Sequence, residues 1–142
     1  EAIRTFETTQ CVNRVSAMGE VRAQLLNIQR RLGALGDTIV EGRDIGSVVF
    51  PDAELKVFYT ATPEARARRR LAEFEKRGES FNFEQVVEQI RLRDETEFHR
   101  EHSPLVQCDE AVVLDTSAFD FEASCVALQK LIEARKAELS LV

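Results

Sequence analysis

The sequence predicts an α/β fold, a parallel sheet with flanking helices. Three observations carry that prediction. Short β-forming runs at Thr38–Val40, Leu55–Thr60 and Ala111–Leu114 alternate with stretches of helical periodicity, and strands alternating with helices are the signature of a parallel sheet with helical crossovers. Two helix starts stand out: Thr62-Pro63-Glu64 supplies a cap, a proline at the first helical position and an acid on the positive end of the dipole, and Asp120 heads the last apolar periodic stretch. The length of 142 residues, with 44% apolar and 31% charged residues, suits one globular domain with its own core.

The elements follow in order. Thr8 to Met18 and Glu20 to Leu32 read as helices, the second with Val21, Leu25, Ile28 and Leu32 on one face; Gly33 and Gly36 end it. Thr38–Val40 is a short strand and Leu55–Thr60, rich in β-formers, a second. The helix capped by Thr62 should stop near Gly78. Asn82 with Gln85 three residues on resembles a capping box, and Phe83, Val87 and Ile90 continue at helical spacing to about His99. Ala111–Leu114 is the third strand, and the helix capped by Asp120 should bury Phe121, Cys125, Leu128 and Ile132. There is no internal repeat, low-complexity stretch or obvious linker.

A net charge of −6 argues against broad electrostatic binding to nucleic acid, which needs a basic surface. No run approaches the roughly 20 apolar residues of a membrane span, and no signal peptide is visible. Three widely spaced cysteines, Cys11, Cys108 and Cys125, fit neither a disulfide framework nor a zinc site, so a soluble protein of the reducing cytoplasm with no protein-held metal is expected.

The residues with chemistry to offer are mostly arginines. Glu41-Gly42-Arg43-Asp44-Ile45-Gly46 follows the first predicted strand, and ligands of open α/β sheets sit beyond the carboxyl ends of strands. Arg43 and Asp44 read equally as a turn-stabilising ion pair. Arg66, Arg68, Arg69 and Arg70 crowd one capped helix, either as a solvated face or as a phosphate clamp, since guanidinium forks match phosphate oxygens bidentately. Arg93, Glu97 and Arg100, spaced by four and three, share one face of the next helix, either as a surface salt-bridge ladder or as a second binding constellation. Arg22 lies on the polar side of its helix, where solvation is the ordinary fate of an arginine. Their order along an α/β chain raises them together as a set.

With those residues in place, the chain resembles the bacterial cytidylate kinase family. The most specific matches are Gly42-Arg43-Asp44-Ile45-Gly46-Ser47-Val48-Val49-Phe50-Pro51-Asp52-Ala53 and Thr62-Pro63-Glu64-Ala65-Arg66-Ala67-Arg68-Arg69-Arg70. Ile3-Arg4-Thr5 precedes them in family order, and Ile90 to Asp94, Arg100 and Ser103-Pro104-Leu105 follow. The resemblance implies a P-loop nucleoside monophosphate kinase fold, with residues 1–142 forming a single partial kinase domain and a lid around 62–100. It implies ATP-dependent phosphorylation of CMP and dCMP with Mg2+, those nucleotides being the partners. Arg22 and Asp44 match positions that recognise the cytosine base, Arg43 and Arg100 phosphate-binding positions, and Arg93 a sugar contact; Arg66, Arg69 and Arg70 fall in the lid that closes over the transferring phosphoryl group. Glu97 stands where the family usually has a sugar-binding Asp, and Asn13 where some members have a Ser near the base.

One family feature is absent. Phosphoryl transfer from ATP in this fold uses Gly-x-x-x-x-Gly-Lys followed by Ser or Thr, and no such run occurs in the 142 residues. The expectation is therefore the carboxyl-terminal part of such an enzyme, without the first strand and the phosphate loop. That strand is expected between those at 38–40 and 55–60, so exposed edges and self-association are expected too. Two alternatives stay open: a non-catalytic remnant that binds CMP, and a structural module with surface ion pairs alone.

Overall fold

The computed structural model describes residues 11, 12, 15, 18–101 and 103–141. In chain order these form α1 (Gly19–Gly33), one π-helical turn (Ile45–Val49), β1 (Val57–Thr60), α2 (Pro63–Glu75), α3 (Phe83–His99), β2 (Val112–Asp115) and α4 (Phe121–Leu139). Of the helix expected over Thr8 to Met18, Cys11, Val12 and Val15 are helical and Met18 is not, standing instead at the start of α1; its other residues lie outside the described ones, as do Ile3-Arg4-Thr5 and Asn13. The chain divides into two compact units, Glu1–Asp52 with Glu97–Val106, and Ala53–Thr96 with Gln107–Val142.

In the second unit β1 and β2 run parallel, with Val57 beside Val112 and Thr60 beside Asp115. Parallel strands need a long crossover, and α2 and α3 lie between them in sequence. The predicted start of α2 is realised: Thr62 Oγ1 accepts the Ala65 N–H at 3.2 Å, with Pro63 opening the helix. Past its end, Gly78 takes φ +75°, a left-handed conformation that glycine adopts without a Cβ penalty. Half of the predicted capping box exists at α3, where Asn82 Oδ1 accepts the Gln85 N–H at 3.0 Å. Ala67 of α2 is wholly buried against Val86, Val87 and Ile90 of α3, and Leu71 and Phe83 flank this core.

The face of α4 differs from the predicted one. Phe121 is 78% exposed and Cys125 is exposed, whereas Ser124 is buried and Ala127, Leu128, Leu131 and Ile132 are half-buried. The inward stripe is thus turned off the 121/125 row. Ser124 can enter it because its hydroxyl donates to Asp120 O at 2.6 Å, which satisfies a polar group that apolarity alone would place outside.

In the first unit the expected strand at Thr38–Val40 does not form. The segment is irregular and exposed, Ile39 to 82%, and the only sheet among the described residues is β1 with β2. A β-run becomes a strand by pairing, and among the described residues none pairs with it. The apolar face of α1 is likewise not buried: Leu25, Ile28 and Leu32 are all exposed. Among the described residues no helix is long and apolar enough to cross a membrane. All three cysteines are free thiols.

Candidate functional site

The first unit is built around the π-helical turn that follows Asp44. The amides of Val48 and Val49 both donate to Asp44 O, at 2.9 and 3.2 Å, and Phe50 N–H closes the turn onto Ile45 O at 2.7 Å. Such wide turns frequently occur at functional sites. Two glycines make room for it. A Cβ on Gly33 would lie 2.4 Å from the Phe50 ring, and one on Gly42 would lie 2.8 Å from Ile45 Cγ1. A side chain at either position would force the Phe50 ring or the Ile45 side chain to shift.

Asp44 is 6% exposed, and its carboxylate is ion-paired with the Arg22 guanidinium, which reaches it from α1. A buried carboxylate needs such a partner. Arg22 Nε also donates to Ser103 Oγ at 2.7 Å. Arg43, pointing elsewhere, pairs through Nε with the largely buried Glu97 at 2.5 Å. Arg100 Nε donates to Ser103 O. Ser103 takes φ +52°, which costs a non-glycine residue free energy. Arginines on both its hydroxyl and its carbonyl hold it there.

The electrostatics of this cluster favour an anion. Burial lowers the Arg100 pKa below its ordinary value, and the neighbouring Arg22 cation lowers it further, with Asp44 and Glu97 opposing. The guanidinium remains charged at neutral pH. Three guanidiniums, Arg22, Arg43 and Arg100, face two carboxylates, which leaves one positive charge in excess. These cations stand beside a buried carboxylate acceptor, and their excess charge suits an anionic group.

The predicted lid arginines lie in the second unit, and two are engaged. Arg66 forms a bidentate pair with Asp94 of α3, its Nη1 donating at 2.9 Å. Arg69 donates to Thr116 O, to Thr116 Oγ1 at 3.3 Å and to Phe119 O at 3.1 Å. Arg70 lies over the Phe74 ring, 5.5 Å from its centroid. Arg93 is exposed on α3.

Two expectations are revised. Arg22 is not a solvated arginine but the partner of the buried Asp44. Arg100 does not share a helical face with Arg93 and Glu97, because α3 ends at His99 and the chain turns towards Ser103. Asp94 and Ser103 stand in runs that match the family, but without a partner the sequence could name, and Thr116 and Arg30 carry no expectation. For Arg30 a signal existed, since it lies eight residues beyond Arg22 on one helix and returns towards the same side after two turns. The contacts of Thr116 and Ser103 depend on tertiary placement.

The described residues form an α/β protein whose first unit gathers three guanidiniums around a buried carboxylate. A family model, cytidylate kinase, matches residues 1–134. The chain is 47% identical over 138 residues to a cytidylate kinase of Xanthobacter autotrophicus, covering 96% of this chain and 66% of that one. It is 43% identical over 136 residues to that of Geobacter sp. strain M21, and 41% over 130 residues to that of Flavobacterium johnsoniae. These alignments cover 96% and 92% of this chain but only 58% and 56% of those relatives. The chain belongs to the cytidylate kinase family, and it spans about three fifths of the length of the curated relatives it matches.

Proposed function

We propose that this protein transfers the γ-phosphoryl group of ATP to CMP and dCMP. The observation that carries the reading is the buried Arg22–Asp44 pair beside Arg100 and Arg43. Asp44 accepts from the exocyclic amine of cytosine, and Arg22 donates to the acceptors of the ring. Arg43 and Arg100 take the phosphate of CMP, while Arg93 and Glu97 meet the sugar. Residues 1–142 act as part of one kinase domain, with the lid at 62–100.

The attacking phosphate oxygen of CMP is already anionic, so no general base is demanded. It forms a bond to the γ-phosphorus as the bond to the bridging oxygen breaks, and ADP leaves with that electron pair. Arg66, Arg69 and Arg70 supply charge stabilisation over the moving group. For Arg66 this means exchanging the Asp94 carboxylate for a phosphoryl oxygen. Magnesium enters with the nucleotide as MgATP.

Incubation of the purified protein with MgATP and CMP, followed by chromatography of the nucleotides, tests the reading. CDP and ADP should appear in equal amounts, and UMP should react more slowly. CMP binding without any CDP would replace the proposal with a non-catalytic CMP-binding role, and neither binding nor turnover would refute both.

A further inference from the structure

We infer that Arg30 is a positioning residue that aims Asp44, acting through the π-helical turn. A single turn leaves its last carbonyls without partners inside the helix. Here Arg30 supplies them: Nε donates to Val49 O at 3.0 Å and Nη2 to Val48 O at 2.9 Å. The other end of the turn is capped by Asp44, whose side chain is held by Arg22. Arg22 and Arg30 both come from α1, about 12 Å apart along its axis. One helix therefore grips the turn at both ends, and the Gly33–Phe50 approach adds a third point of contact. Because α1 is rigid over that span, fixing the Val48 and Val49 carbonyls fixes the rotation of the turn. The direction of Asp44 and Arg43, immediately before it, is set in consequence. Arg30 donates both of these hydrogen bonds to backbone oxygens, so its effect on a ligand passes through the turn.

This inference rests on the reading of Asp44 as the acceptor for the cytosine amine, and it concerns discrimination rather than mere stability. Calorimetric titration of Arg30→Lys and Arg30→Met with CMP and with UMP, beside the unaltered protein, tests it. Loss of the fork should weaken CMP binding about tenfold and UMP binding far less, because the misaimed group is the one that reads the amine. Lysine, which keeps the charge and one donor, should restore part of the preference. Equal losses for CMP and UMP, or an unchanged ratio in both variants, would overturn it. Should Arg30→Met fail to fold, the ratio in Arg30→Lys decides alone. If the unaltered protein binds CMP no better than UMP, the reading of Asp44 fails and takes this inference with it, a result distinct from one in which only the Arg30 variants behave as the unaltered protein does.

Discussion

Arg22 and Asp44, separated by 22 residues in sequence, form an ion pair in which the carboxylate is almost wholly withdrawn from water. A buried carboxylate held by an arginine is both a structural element and a directed acceptor. Asp44→Ala leaves Arg22 half-buried without this carboxylate, and should cost about 1–3 kcal/mol of stability. Asp44→Asn keeps the shape but turns donors towards the guanidinium. CMP affinity should fall at least about tenfold in Asp44→Asn, measured by titration on protein whose thermal unfolding is still cooperative.

Gly33 should be intolerant of any side chain. The alanine Cβ would sit 2.4 Å from the Phe50 ring, a distance that forces the ring or the turn to move. Gly33→Ala should lower stability by about 1–3 kcal/mol, and the double variant Gly33→Ala with Phe50→Ala should recover the overlap part of that loss. Urea unfolding of both variants measures the coupling.

Arg69 should be needed for stability as well as for any role over the phosphoryl group. Thr116 is fully buried, and Arg69 meets both its carbonyl and its hydroxyl. Arg69→Met should destabilise by about 1–3 kcal/mol, because charged hydrogen bonds to a buried group are lost. A variant of unchanged stability with reduced turnover would assign Arg69 to catalysis alone.

The fold was legible where local chemistry decides it. Thr62-Pro63, Asn82 and Asp120 cap their helices as the residue types foretell, and Val57–Thr60 and Val112–Asp115 pair as β-forming runs should. It was illegible where pairing or rotation decides. Thr38–Val40 has the composition of a strand, but among the described residues no strand pairs with it. Ser124 replaces Phe121 on the inner face of α4 because its hydroxyl finds a carbonyl. At the site, Arg43 and Asp44 announce themselves by their loop, yet they point to different partners, Glu97 and Arg22, which lie far along the chain. The π-turn that follows them has no sequence signature.

Acid should loosen the start of α2. Asp115 Oδ1 accepts from Ser117 Oγ–H at 2.5 Å and from Ser117 N–H at 2.8 Å, and Ser117 Oγ accepts the Thr62 N–H at 2.8 Å. The Ser117 hydroxyl first, and its amide second, lower the Asp115 pKa below 3.8. A carboxyl whose folded pKa is depressed adds stability above its unfolded value, and that stability is lost as pH falls through the folded one. Asp115→Asn should therefore be less stable than the unaltered protein at neutral pH, with the difference shrinking below 3.8. Thermal melts across that range check the sign.

If Arg22 and Asp44, with Arg43 and Arg100, form a site for cytidine monophosphate, calorimetric titration of the purified protein with CMP should show saturable binding at one site per chain. The same titration of the folded Asp44→Ala variant should show none. Binding of equal strength to both proteins would rule the site out.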